Sequence, residues 1–241
     1  MNGVLDKGTN PADAFLYTFE ARAVLLDIEG TISPICFVRD VLFGYSRAHL
    51  ARFLAVRGGD PAVTAILDQA SLLAGGGDPV AALEAWQARD EKAPPLKKIQ
   101  GLIWDEGYRS GAFRSPIFSD ALAALRRWKA AGIPLFIYSS GSVQAQLQFF
   151  EFNEAGDLRA LFSGHYDTDI GSKIEAASYT RIASQIDAPL QSVVFLSDNL
   201  AELEAARSAG LKVVHVVKDG ADPAPAFPEI TDFGQVDISF G

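Results

Sequence analysis

Cysteine is almost absent: Cys36 is the only one in 241 residues, so no disulfide can form within the chain and a stapled mini-protein is excluded. Histidine is scarce as well. His49, His165 and His215 show no metal-ligand spacing, and Cys36 has no histidine or second cysteine beside it in sequence, so a zinc cage and a thiol nucleophile are both disfavoured. No stretch reaches the ~18 uninterrupted apolar residues of a membrane span. The first twenty residues carry Asp6, Lys7, Asp13 and Glu20 where a secretory signal would place an apolar core. Positive charge is also in short supply, with 21 basic against 30 acidic side chains and a formal charge of −9. That balance opposes nucleic acid and anionic membranes as partners, while a local basic group can still hold a small anion. The expectation is a soluble, cytoplasmic monomer acting on a small molecule.

What the sequence does contain is a set of short apolar runs that end in polar clusters. Ala23-Val24-Leu25-Leu26 leads into Asp27, Pro134 to Tyr138 into Ser139-Ser140-Gly141, Ser192 to Leu196 into Ser197-Asp198-Asn199, and Val213 to Val217 into Lys218-Asp219-Gly220. Continuous apolar runs are the pattern of strands covered on both faces, as in a parallel sheet. Helical spacing lies between them. Leu122, Leu125 and Trp128 follow a candidate cap at Ser119 and stop at Gly132, and Leu200, Leu203 and Ala206 stop at Gly210. The alternation predicts an α/β fold with a doubly wound, Rossmann-like parallel sheet, whose ligands bind beyond the carboxyl ends of the strands. From Thr31 to about Phe118 no strand pattern occurs, far more chain than a simple crossover needs. Helices are predicted there over 41–56, 61–74, 79–89 and 96–108, divided by Gly58-Gly59, Gly75-Gly76-Gly77 and Pro94-Pro95. This is read as an α-helical cap, residues 41–115, inserted into a discontinuous core of residues 1–40 and 116–241. The Pro- and Ala-rich stretch from Gly220 to Pro228 is read as a loop before a last short strand.

Each predicted strand end carries chemistry. Asp27 and Glu29, two apart in an extended segment, direct their carboxylates to the same side. Ser139 and Ser140 offer hydroxyls and N–H groups at the start of a helix, where an anion can sit. Lys173 supplies a positive charge for a phosphate oxygen. Asp198 adds a third carboxylate, and a hard cation such as Mg²⁺ takes a few carboxylates together with water and phosphate oxygens.

The order acid pair, serine, lysine, acid resembles the four motifs of the haloacid dehalogenase-like phosphohydrolases. Most of these carry Asp-x-Asp-x-Thr, whereas this chain has Asp27-Ile28-Glu29-Gly30-Thr31. With the segments Ser33 to Phe43, Gln100 to Gly111, Ile137 to Gln146 and Phe195 to Ala206, it is similar to the acireductone-forming enolase-phosphatases of methionine salvage, over roughly Val24 to Val217. The resemblance implies that Asp27 is the nucleophile forming an aspartyl phosphate and that Glu29 protonates the leaving oxygen and then activates water. It implies one Mg²⁺ per chain held by Asp27, Glu29 (through its carbonyl) and Asp198, with Ser139, Ser140 and Lys173 on the phosphoryl oxygens. The implied substrate is a phosphorylated diketone that is enolised before phosphate leaves. The base for that proton removal is not identified by the sequence, and Glu29 is the candidate.

Taken singly, each residue also has a plainer role open to it. Asp27 can hold a turn, Ser139 and Ser140 can cap a helix, Asp198 can cap the helix after it, and most lysines are solvated. Trp104 and Tyr108, four apart on a predicted cap helix, read as shared packing before they read as a lid. The alternatives in function are a generic capped phosphatase for a sugar or nucleotide phosphate, which differs only at Glu29 and the segment 100–111, and a receiver-like phosphoacceptor domain, which the long helical insertion opposes.

Overall fold

The computed structural model describes residues 15–89, 91, 93–218 and 226–241; the acidic first residues and most of the segment read as a C-terminal loop lie outside them. The chain divides into two compact units, one formed by residues 1–32, 118–140 and 160–241 and the other by residues 33–117 and 141–159.

The first unit is built on the predicted parallel sheet. Its strands in chain order are β1 (Tyr17–Ala21), β2 (Ala23–Leu26), β3 (Leu135–Tyr138), β4 (Gly164–Tyr166), β5 (Val193–Ser197), β6 (Lys212–Val216), β7 (Glu229–Ile230) and β8 (Val236–Phe240). Six of them form one sheet in the order β4-β3-β2-β5-β6-β7, every pairing parallel. Strand β2 is central, flanked by β3 and β5, and all four of its residues are buried, as its apolar run requires. The strand order reverses direction beside β2, which puts a crevice at the carboxyl ends of β2, β3 and β5.

The strands not predicted have weaker signals. β4 is three residues long and β1 alternates partly buried with exposed residues before pairing in parallel with β8, whereas the short strand expected after Pro228 is found as β7, two residues long. Helix α5 (Ser119–Ala130) buries Leu125 and Trp128 of the predicted face together with Ala121 and Ala124, while Leu122 is half-buried. Its cap differs from the expectation: Phe118 occupies the N-cap position without a side-chain bond, and Ser119 is already inside the helix. Helices α7 (Ala176–Gln185) and α8 (Leu200–Ala209) complete the unit, and Tyr179, Ile182 and Leu203 pack with Phe195 into one apolar cluster. Gly210 ends α8 in the left-handed conformation, at φ 103°, that glycine accommodates.

The second unit is helical. A wide turn of π-helical pitch over Phe37–Leu42 leads into α1 (Phe43–Arg57), followed by α2 (Pro61–Leu73), α3 (Pro79–Ala88), α4 (Pro94–Ser110) and α6 (Val143–Glu151). Pro94 and Pro95, expected to separate helices, both lie in the first turn of α4. Proline is tolerated there because the first N–H groups of a helix have no internal partner. Leu50, Phe53, Val63, Leu83, Ile99 and Ile103 form the core of this unit. Trp104 and Tyr108 do pack: the Trp104 indole donates to the carbonyl of Leu42 at 2.7 Å, and Tyr108 stacks on Phe152 with ring centres 5.3 Å apart. No helix among the described residues is long and apolar enough to cross a membrane.

Leu83 is fully buried and Leu72, one helix earlier, is 79% exposed. Leu83→Ala is therefore expected to cost about 2–5 kcal/mol in denaturant unfolding, and Leu72→Ala no more than about 0.5 kcal/mol. Equal costs would contradict this packing.

Candidate active site

At the carboxyl end of β2 the chain leaves the sheet at Asp27, whose N–H still donates to the carbonyl of Leu196 on β5. The side chain is buried, and each of its oxygens has a partner. Lys173 donates to Oδ1 at 2.5 Å, and the Thr31 hydroxyl lies 3.3 Å from Oδ2. The same hydroxyl is 3.4 Å from Asp198 Oδ1 and accepts from the Asp198 N–H at 3.0 Å. A hydroxyl has one proton, so Thr31 can donate to only one carboxylate at a time, and it gathers the two acids around itself. Gly30 makes the approach possible. It turns the chain at φ +78°, and a Cβ on it would collide with Asp198 Oδ2, so no other residue fits without moving that carboxylate.

Lys173 is only 6% exposed, which excludes the solvated surface lysine. Its ammonium is shared between Asp27 and Glu202 Oε2, the latter at 2.7 Å. Burial alone would depress its pKa, but the two carboxylates outweigh burial and raise it. The loop that carries it is tied down on both sides: Tyr138 donates to the carbonyl of Gly171 at 3.0 Å and Tyr179 to that of Lys173 itself at 2.7 Å. Ser178 adds a bond to the carbonyl of Ser172 at 2.8 Å.

Three carboxylates surround this one ammonium. Burial, followed by repulsion from Asp27, pushes Glu202 up to about 7 against the opposing pull of Lys173. Burial and the same neighbour raise Asp198 as well. An added cation beside Asp27 and Asp198 would relieve that repulsion. Among the described residues no group of three or more His, Cys, Asp or Glu collects into a cage. Two carboxylates with open positions suit a hard ion that keeps water and takes phosphate oxygens, so the donor set fits Mg²⁺ better than zinc.

Of the residues singled out from sequence, Asp27, Lys173 and Asp198 are joined through this network. Glu29 follows Asp27 by two positions and is half-buried. Ser139 is buried at the carboxyl end of the adjacent strand β3, its N–H donating to the carbonyl of Tyr166 at 3.1 Å, and Ser140 beside it is half-buried. The helix caps fall elsewhere: Ser142 caps α6 and Asn199 caps α8, so capping explains neither Ser139 nor Asp198. Three further residues complete the network, and of these only Thr31, the last residue of the motif that begins at Asp27, is marked by the sequence. Glu202 sits in the first turn of α8, four residues after Asp198, and Ser197 donates to it at 3.1 Å. Thr31 follows Asp27 by four. Their signal is spacing from a recognised acid, but only the fold shows which neighbour each one meets.

The model of the haloacid dehalogenase-like hydrolase family matches residues 21–210. The Enolase-phosphatase E1 of Bradyrhizobium sp. (strain BTAi1) is 62% identical over 91% of this chain and 95% of its own length. That of Aquifex aeolicus is 43% identical over 90% of this chain and 99% of its own. The crystal structure of the UTR4 protein of Saccharomyces cerevisiae superimposes with a TM-score of 0.74 at 33% identity, covering 89% of this chain and 99% of that one. CbbY of Rhodobacter sphaeroides in complex with xylulose-1,5-bisphosphate, at 20% identity and a TM-score of 0.58, shares the fold. The chain belongs to the haloacid dehalogenase-like hydrolases and, among them, to the Enolase-phosphatase E1 family.

Proposed function

We propose that the chain is a bifunctional, Mg²⁺-dependent enolase-phosphatase of methionine salvage. It converts 2,3-diketo-5-methylthiopentyl 1-phosphate to the acireductone 1,2-dihydroxy-3-keto-5-methylthiopentene and phosphate. The observation that carries the reading is the buried Asp27 carboxylate at a strand end, flanked by Lys173 and drawn toward Asp198, in a chain 62% identical to an enzyme of that name.

Phosphate release requires a nucleophile with an in-line path to phosphorus. Asp27 supplies it: one carboxylate oxygen bonds to phosphorus, the bond from phosphorus to the substrate oxygen breaks, and the leaving oxygen takes a proton from Glu29. Glu29, now ionised, removes a proton from water, which attacks phosphorus and returns Asp27 to its starting form. Lys173 stands beside the nucleophile, where charge accumulates on the phosphoryl oxygens, and Ser139 and Ser140 offer further donors at the neighbouring strand end. Asp27, Asp198 and the carbonyl of Glu29 would hold Mg²⁺, which when bound screens the carboxylates from the incoming phosphate and polarises its oxygens. Enolisation removes a proton from the carbon next to a carbonyl, and Glu29 is assigned as the base. Its extra methylene relative to aspartate extends its reach. The exposed free thiol of Cys36 suits a reducing compartment, and we place the enzyme in the cytoplasm.

Following enol absorbance and free phosphate separately, with the phosphorylated diketone and Mg²⁺, tests both steps. Asp27→Asn should abolish phosphate release yet stay folded, since the amide oxygen still accepts from Lys173, whose charge stays paired with Glu202. Full phosphate release in that variant would refute the nucleophile. Glu29→Gln should slow enol formation, and enolisation at the wild-type rate would remove Glu29 as base. Lys173→Met leaves buried carboxylates without their cation and should cost about 3–5 kcal/mol at neutral pH. Because protonation discharges those acids, the cost should shrink toward pH 5, and a cost independent of pH would contradict the ion network.

A further inference from the structure

Beside the site, the sheet carries a polar pair that the reaction above does not use. The register sets Ser197 of β5 next to His215 of β6, and His215 next to Glu229 of β7, in one row at the carboxyl ends. Around it β6 is apolar, with Val213, Val214 and Val216 buried. The His215 and Glu229 side chains are only 14% and 5% exposed, and burying such groups costs free energy unless each is bonded. Both are bonded. His215 Nδ1 lies 3.0 Å from Glu229 Oε2, and Nε2 lies 3.2 Å from the main-chain oxygen of Asp198. A carbonyl oxygen can only accept, which assigns a proton to Nε2, and one further proton, on Nδ1 or on Glu229 Oε2, makes the other contact a hydrogen bond.

We propose that His215 is a positioning residue for the metal-binding carboxylate of Asp198, itself aligned by Glu229. The inference rests on reading Asp198 as a Mg²⁺ ligand. Asp198 precedes α8, so the helix does not hold its backbone, and two other bonds do. Its N–H donates to the Thr31 hydroxyl at 3.0 Å, and its carbonyl accepts from His215 at 3.2 Å. The side chain leaves the backbone between these two pinned peptide groups, so its direction follows from both. Thr31 ties Asp198 to the β2 loop, and His215 ties it to β6. Losing the His215 bond frees the carbonyl side of Asp198 to rotate and loosens the ligand, as loss of outer-shell hydrogen bonds does at metal sites.

The test is direct Mn²⁺ binding to the full chain, followed by electron paramagnetic resonance, alongside thermal unfolding without metal. Glutamine can place its amide nitrogen near the position of Nε2, whereas asparagine is too short to reach Asp198. His215→Asn should weaken Mn²⁺ binding by about tenfold or more, and His215→Gln should recover most of that loss. Wild-type affinity in His215→Asn, or equal weakening in both variants, overturns the proposal. Asp198→Asn separates the role of His215 from that of the ligand: if it binds Mn²⁺ as the wild type does, the metal reading itself fails whatever His215 does. Should neither histidine variant fold, ¹⁵N-histidine spectra of the wild-type protein decide. Exchange of the His215 Nε2–H with water should slow when Mg²⁺ is added, and an unchanged rate overturns the proposal.

Discussion

The rest of the first unit is arranged around a buried ammonium shared by two buried carboxylates. Lys173 sits 2.5 Å from Asp27 and 2.7 Å from Glu202, and none of the three is more than a tenth exposed. In so dry a place an unpaired charge would cost several kcal/mol, so each member requires the others. The surroundings serve that requirement. Two tyrosine hydroxyls hold the loop that aims Lys173, Ser197 steadies Glu202, and the central strand delivers Asp27 from a wholly apolar stem. The charges still do not balance. Asp198 stands on the far side of Thr31, where burial and then repulsion from Asp27 push its carboxyl above the usual range.

Much of this is legible in the sequence because the sheet is buried on both faces. A short, uninterrupted apolar run bounded by turn residues suits little except a strand covered on both sides, so β2, β3, β5 and β6 lie within about a residue of their predicted bounds. The polar residues after the first three runs then fall at the edge where parallel sheets bind ligands. The elements that escape are those whose signal is weak: the short strand β4 and the amphipathic β1, which pairs with the distant β8. Pro94-Pro95 misleads for a physical reason, since proline breaks a helix interior yet suits its first turn.

The site is legible as a set of residue types and not as a network. Asp27, Lys173 and Asp198 stand out because each belongs to a recognisable pattern. Nothing local to Glu202 distinguishes it from Glu204, which forms an exposed pair with Arg207. The helical turn aims one of them into the site and the other into solvent. His215 reads from sequence as a structural histidine in its strand, and sequence separation conceals that the register puts it beside Glu229 and within reach of Asp198. Positions on one strand are readable from periodicity, whereas neighbours across strands depend on register that the fold as a whole decides.

The central claim is that Asp27 takes the phosphoryl group. It is tested most directly by quenching the working enzyme with acid, reducing with borohydride and mapping the peptide that contains residue 27 by mass spectrometry. An acyl phosphate is reduced to the alcohol, so homoserine is predicted at position 27 in samples given substrate and unmodified aspartate in samples without it. Aspartate unchanged at position 27, in samples quenched while phosphate is still being released, would contradict the claim.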